Sequence, residues 1–384
     1  MSALDLLVVG GGVTGTATAS AAARRGLRTL LVEQFHIGNP HGSSHGPSRI
    51  IRLAYDGADY VALAREAYGL WRRVGHDVRQ RLLRGTGGLD FGSADTPSLR
   101  ATARTMEACD VEFERLSPDE LAGRFPQLRP DPGMEGLYQQ DAGVLDADTC
   151  VRALATDARA HGAEIREQAR VRRLRPVPGG VAADVNGVDV RAAAAVIAAG
   201  SWTRPLLAEM GRPLPLSVTR EQVAYFAAPS TAFGPDRFPV MIEHRAGRPP
   251  MISMFPELEP GGGVKLMLDR DGPEIDAGDL SGVVHEPALK RLMAHARHRL
   301  PGLGPLVRAE TCRYTMTPDE DFVLDLLPGQ ATIGVASACS GHGFKFGPVL
   351  GEIMVDLLTT GTTARPVSRF SLDRPALAVP ASSR

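Results

Sequence analysis

The stretch Leu4-Asp5-Leu6-Leu7-Val8-Val9-Gly10-Gly11-Gly12-Val13-Thr14-Gly15 decides the fold. Leu4 to Val9 is apolar apart from Asp5 and has the length of one buried strand. It runs straight into three glycines spaced as a strand-to-helix turn requires. A small-residue helix is predicted from Thr16 to Arg25, stopped at Gly26, followed by a second strand, Thr29 to Val32, that ends in Glu33. Strand, glycine turn, helix, strand and acid in this order form the dinucleotide-binding βαβ fingerprint. Gly10 serves the tight turn, Gly12 the close approach of a pyrophosphate and Gly15 the packing of helix on strand, while Glu33 can take a ribose hydroxyl. The motif does not choose between NAD and FAD.

The bulk composition narrows the class of protein. The chain has 384 residues and a net charge of -1, which gives no reason to expect nucleic acid or an anionic membrane surface as partner. No apolar run approaches the roughly 20 residues that span a bilayer. With a strand beginning by about Leu4, no signal peptide is expected, so the expectation is a soluble cytoplasmic protein. Cys109, Cys150, Cys312 and Cys339 are scattered and lack metal-ligand spacing, so no metal site is expected. Only Lys265, Lys290 and Lys345 are lysine in a chain whose cations are otherwise arginine. Lys265 follows three glycines and Lys345 lies in a glycine-rich turn, where a compact ammonium with a mobile pKa differs from a planar guanidinium. Lys290, on a predicted helix Ala288 to Leu300, reads as a solvated surface cation.

Outward from the fingerprint, His41 to Tyr55 reads HGSSHGPSRIIRLAY. Arg49 and Arg52 are three apart and would share a face if a helix or turn starts there. Val61 to Val74 has helical periodicity and packs as core. From Thr86 to Pro132 the pieces are short and proline-rich. A helix at Asp148 to Ala160 follows, then strands at Ala163 to Ile165 and Arg170 to Leu174, a hairpin across Asn186-Gly187, and a buried strand, Ala194 to Ala199, closing on Gly200-Ser201-Trp202. Val223 to Ala227, Val240 to Ile242, Met251 to Phe255 and Val264 to Leu268 read as antiparallel strands, with Lys265 facing opposite to its neighbours.

These elements give an α/β fold: a Rossmann-like nucleotide-binding domain from residues 1–85, 140–215 and 308–377, interleaved with an α+β substrate domain, residues 86–139 and 216–307, on a mostly antiparallel sheet. The chain is expected to be disordered after Pro375, with 378–384 as its tail. Near the C-terminus, Gly341-His342-Gly343-Phe344-Lys345-Phe346 lies between a strand-like run (Ala331 to Ala336) and a helical pattern with Pro348 in its first turn. Such a turn lets a flat ligand approach backbone N–H groups at a helix start.

The fingerprint, the Ser48-Arg49-Ile50-Ile51-Arg52 segment, Cys312-Arg313-Tyr314-Thr315-Met316-Thr317-Pro318-Asp319 and the SGHGFKF turn together resemble the monomeric sarcosine oxidase and N-methyltryptophan oxidase family, FAD-dependent amine oxidases of the D-amino-acid-oxidase-like group. The likeness runs from Leu4 to about Leu377. It implies FAD held by Gly10, Gly12, Val13, Thr14, Gly15, Glu33, Gln34, Ser43, Ser48, Arg49, Val171, Gly200, Trp202, Cys312, Gly341, Gly343, Phe344 and Lys345. It further implies a covalent thioether to the flavin at Cys312. Arg52 and Lys345 would bind a substrate carboxylate, Arg49 would lie over the flavin ring, and Lys265 would favour reduction of dioxygen. His45 and Tyr314 match active-site positions. The implied reaction oxidises a secondary amino acid to an imine and reduces O2 to H2O2, in a chain acting as a monomer.

Two departures bear on the substrate. Asp269 stands where the sarcosine oxidases carry a histidine, and an acid there would prefer a cationic or hydrogen-bond-donating group and raise the pKa of a nearby amine. Ile252 and Ser253 replace paired tyrosines, which makes the pocket wall less aromatic. Piperideine-carboxylate oxidases resemble this family and use an acid at the position of Asp269, so a cyclic or bulkier amino acid is credible. The alternatives are such a piperideine/pipecolate-type oxidase, or an amine dehydrogenase of the same fold that passes electrons to an acceptor other than oxygen.

Overall fold

The computed structural model describes residues 4–247 and 250–378. The strand Leu4–Val9 is the centre of an eight-stranded sheet, paired in parallel with Thr29–Val32 on one side and with Val188–Ile197 on the other. Gly180–Val185 and Val188–Ile197 form the expected hairpin, turned by Asn186 (φ 53°) and Gly187 (φ 87°). Its second strand runs on through Ala194 to Ile197 and so takes in most of the run expected as a separate strand at Ala194 to Ala199. The C-terminal half of that strand also pairs in parallel with Gln330–Ser337, which carries Val323–Leu327 beyond it. Helices Val13–Arg24, Ala147–Ala160 and Gly347–Thr360 bury small or apolar faces beside this sheet.

The second sheet also has eight strands, in the order Leu306–Met316, Ser217–Phe226, Val264–Asp269, Met251–Phe255, Val240–His244, Gly88–Ser93, Met134–Gln139 and Glu114–Leu116. Every pairing is antiparallel except that of Val240–His244 with Gly88–Ser93. Leu306–Met316 is a correction: residues from 308 on were expected in the nucleotide-binding part, yet this strand pairs along its length with Ser217–Phe226. The chain changes sheet only after it, at the turn holding Thr317 and Pro318. The side chains of this sheet alternate as the pleat requires. Val264, Leu266 and Leu268 enter a core against the helix Glu286–Arg299, while Lys265, Met267 and Asp269 line a cavity on the other face.

Two further expectations change. Pro375–Leu377 is a helical turn with Leu377 buried, so order continues past Pro375, and residues 379–384 lie outside the described residues. Arg49 belongs to a short strand, Arg49–Ile51, paired with Gly143–Leu145, rather than to a helix or turn. Extended backbone sends residues three apart to opposite sides, and Arg49 and Arg52 accordingly meet different partners.

Candidate active site

A single cavity of ≈ 730 Å³ is lined at one end by Gly10 to Thr14 and at the other by Lys265, Asp269 and Lys345. The first end is shaped by missing side chains. Gly10 has φ +110°, and a Cβ there would lie 2.4 Å from Ala198 O; a Cβ on Gly15 would lie 1.8 Å from Gly10 O. The helix can therefore sit on the strand only with glycine at both positions. Glu33 is buried and accepts the Gly11 N–H at 2.6 Å through one carboxylate oxygen and the Phe35 N–H at 2.8 Å through the other. Burial pushes its carboxyl up despite those donors. Ser44, which the sequence reading passed over, accepts the Val13 N–H at 3.1 Å and so caps the helix start by the side chain of a distant loop.

Gln34, Val171, Gly200 and Trp202 line the same end. Ser43 Oγ is buried in this wall without a hydrogen-bond partner among the described residues. A buried hydroxyl left open beside a side-chain-free glycine rim is completed by an oxygen-rich ligand. The residues present therefore fit a dinucleotide.

The middle of the cavity is walled by the second sheet and by residues 43–49. Lys265 is buried and donates to Ser48 Oγ at 3.1 Å and Ser48 O at 3.3 Å, with its ammonium 4.5 Å from the centre of the Phe255 ring. Burial first, and then the Arg49 charge, push its pKa down to about 7. Arg49 donates to Ser48 O, Ser43 O and His45 O at 2.7–2.9 Å and its guanidinium stands 5.6 Å from the Phe344 ring centre. One side chain thus fixes the HGSSHG loop. His45 is pushed down to about 4 by burial and by Arg49 and Lys265, so its imidazole is neutral at pH 7. Cys312 lines the wall and its thiol is pushed up to about 12, by burial acting against Arg49 and Lys265.

At the far end, Arg52 and Lys345 converge on Tyr55. The Arg52 guanidinium lies 4.9 Å from the Tyr55 ring centre, and Lys345 Nζ donates to the Tyr55 hydroxyl at 2.7 Å and to His342 O at 2.8 Å. Tyr55 closes the quoted HGSSHGPSRIIRLAY segment, but nothing in the sequence signals its role between the two cations. Burial pushes Lys345 well below the usual lysine range, with Arg52 acting in the same direction and Asp90 and Asp269 against it.

Asp269 is on the cavity face, four residues along the strand from Lys265, and Arg270 Nε donates to it at 2.8 Å. Burial pushes its carboxyl up. Tyr314 lies beside it, with its hydroxyl 3.5 Å from Met267 Sδ. Ile252, expected in the pocket wall, is a correction: it is fully buried in the opposite core, and only Ser253 of that pair reaches the cavity.

The SGHGFKF turn joins these ends. Gly341 has φ +81°, and a Cβ there would approach the Tyr314 ring to 2.6 Å; a Cβ on Gly343 would lie 1.7 Å from Ala338 O. Phe344–Phe346 makes a 3-10 turn that leads into the helix Gly347–Thr360 with Pro348 in its first turn. Phe344 stacks on Trp71 at 6.1 Å, and Trp71 Nε1 donates to Lys345 O at 2.7 Å, so the helix Ala58–Asp77 holds the turn from behind. Among the described residues all four cysteines are free, no group of side chains is arranged to hold a metal ion, and no helix is long and apolar enough to cross a membrane.

Residues 5–357 match the family described as FAD dependent oxidoreductase (DAO). The chain is 33% identical to a monomeric sarcosine oxidase of Bacillus sp. (strain B-0618), over 97% of this chain and 96% of that one. It is 30% identical to an N-methyl-L-tryptophan oxidase of Salmonella heidelberg (strain SL476), over 96% and 98%. The open form of NikD, an unusual amino acid oxidase essential for nikkomycin biosynthesis, superposes with a TM-score of 0.84 at 30% identity, over 97% of this chain and 98% of that chain. L-proline dehydrogenase from P. horikoshii, at 20% identity and a TM-score of 0.83, shares the fold. Fingerprint, sheet order, cavity and relatives agree: the chain belongs to the DAO family of FAD-dependent oxidoreductases.

Proposed function

We propose that the protein oxidises a secondary amino acid, N-methyl or cyclic, to its imine and reduces O2 to H2O2. The observation that carries this reading is the pair of buried cations, Arg52 and Lys345, brought together on Tyr55 in the cavity that begins at the dinucleotide fingerprint. A carboxylate entering between them gains charge-assisted hydrogen bonds and relieves the repulsion of two buried like charges. The same cations favour the neutral form of the substrate nitrogen, whose lone pair must be free for the adjacent C–H bond to break. Asp269 opposes this less than its charge alone suggests, because Arg270, shared with Glu320, offsets part of it. That lowers the objection to a simple N-methyl amino acid.

The flavin, when bound, accepts two electrons from the carbon beside nitrogen and delivers them to dioxygen. Lys265 contributes a positive charge in the middle of the cavity, where oxygen takes up its first electron. Tyr314 and Asp269 form the wall facing the substrate side chain, and His45, neutral, fills the loop under Arg49 without adding charge. Cys312, in the cavity wall, would tether the flavin. Its raised thiol pKa makes Arg49 and Lys265, the two cations that favour its thiolate, part of that chemistry. The protein is read as a cytoplasmic monomer.

The relatives named as sarcosine and N-methyltryptophan oxidases support the oxidase reading over a dehydrogenase. The test is the balance sheet of turnover under air. One O2 consumed and one H2O2 formed per amine oxidised supports it, and amine oxidation that needs an added quinone or dye rules it out. Acid precipitation tests the tether: flavin remaining in the pellet supports attachment, and flavin in the supernatant contradicts it.

A further inference from the structure

We infer that Asp90, His244 and Ser98 form a clamp behind Arg52, which holds the guanidinium by a single carboxylate oxygen and leaves its remaining N–H groups for a substrate carboxylate. This rests on the reading of Arg52 as a carboxylate-binding cation. Arg52 Nη1 donates to Asp90 Oδ1 at 3.0 Å. His244 Nε2 lies 2.9 Å from that same oxygen, and Ser98 Oγ lies 2.9 Å from His244 Nδ1. The guanidinium has no other hydrogen-bond partner among the described residues. Asp90 and His244 are each 3% exposed. Arg52, His244 and Ser98 line the cavity, whereas Asp90 stands behind them and is no part of its wall. Asp90 is therefore a positioning residue.

The sheet register builds the clamp. Gly88–Ser93 and Val240–His244 run parallel with Asp90 opposite Ile242 and His244 opposite Gly92, so Asp90 and His244 are diagonal neighbours on one face. A Cβ on Gly92 would lie 2.5 Å from His244 O and 3.4 Å from His244 Cβ, so glycine there is what lets the two strands close with the imidazole over Asp90. Ser98, from the helix Pro97–Ala108, fixes the other ring nitrogen.

One-oxygen attachment has a chemical consequence. A carboxylate that met Arg52 through two parallel hydrogen bonds would occupy the edge of the guanidinium that a substrate needs. Asp90 instead divides one oxygen between Arg52 and His244. Asp269 also offsets the charge of Lys345, so what Asp90 alone gives Arg52 is a fixed acceptor behind it. The clamp thus keeps the guanidinium oriented while leaving it open.

The test is titration calorimetry on the flavin-loaded protein with propionate and with propionamide, which differ in the charge that Arg52 would read. The wild type is expected to bind propionate at least about tenfold more tightly, the size of a charge-assisted hydrogen bond. Asp90→Ala is expected to weaken propionate about tenfold and leave propionamide unchanged. Asp90→Asn, whose amide oxygen can still accept from Arg52 and His244, is expected to restore binding to within about threefold of wild type. His244→Ala, with Asp90 intact, is expected to lose about threefold to fivefold, and it decides the matter if Asp90→Ala does not accumulate with flavin. Propionate binding within about twofold of wild type in both alanine variants overturns the clamp. A wild type that does not distinguish propionate from propionamide overturns the reading of Arg52 itself.

Discussion

At the residue scale the account turns on Lys265 and Cys312. Replacing the buried ammonium by a thioether, Lys265→Met, is expected to slow reoxidation of the reduced protein by O2 roughly 10²–10³-fold, the cost of losing one electrostatic contact to developing charge. Anaerobic reduction by substrate is expected to change little, and the two half-reactions followed separately by flavin absorbance check this. Because burial and Arg49 bring the Lys265 pKa down to about 7, the charge is present below that pH and lost above it. Reoxidation should therefore slow as pH rises through about 7, and Lys265→Arg, which stays charged, should flatten the profile. Cys312→Ser should bind FAD that acid releases, against retention in the wild-type pellet. The two cavity lysines, Lys265 and Lys345, were legible because lysine is scarce in this chain and both sit by glycine clusters. Tyr55, Asp90 and His244 were not, since a tyrosine, an acid and a histidine in strand-like or loop sequence look the same whether they face solvent or a buried cation.

At the element scale, glycine positions separate turns that need a missing side chain from those that do not. Gly343→Ala would drive a Cβ into the Ala338 carbonyl, whereas Gly42, in the loop before Arg49, has nothing within 4 Å of its would-be Cβ and no positive φ. Gly343→Ala should cost about 1–3 kcal/mol and much of the bound flavin, and Gly42→Ala should stay within about 0.5 kcal/mol of wild type, measured by chemical denaturation with flavin content alongside. Strand alternation was readable wherever one face is apolar: Val264, Leu266 and Leu268 marked the core side, and so placed Lys265 and Asp269 together on the other. The pairing of Leu306–Met316 was not readable. A strand's local sequence records which of its faces is buried and not which sheet it joins, and no turn residue interrupts it before Thr317-Pro318. The Arg49–Arg52 spacing misled for a related reason, because a spacing of three means one face on a helix and two faces on a strand.

At the scale of the whole molecule, the first sheet supplies the dinucleotide end of a cavity and one face of the second sheet supplies the reactive wall. The SGHGFKF turn and residues 43–55 join them. At its substrate end the cavity brings Arg52 and Lys345 onto Tyr55, with Arg49 and Lys265 in its middle, while Arg270 is taken by Asp269 and Glu320 and Asp90 stands behind Arg52. A site so charged suits an anionic substrate and an oxygen-reducing reaction, and it is poorly suited to an amine lacking a carboxylate. The measurement that tests this most directly is anaerobic titration of the flavin-loaded protein with secondary amino acids, N-methyl and cyclic, each beside its decarboxylated counterpart. The account predicts that at least one of the amino acids bleaches the oxidised-flavin absorbance and that its carboxylate-free counterpart does so at least about a hundredfold more weakly, as loss of contacts to two cations requires. Bleaching by the amine alone, or by none of the amino acids, would contradict it.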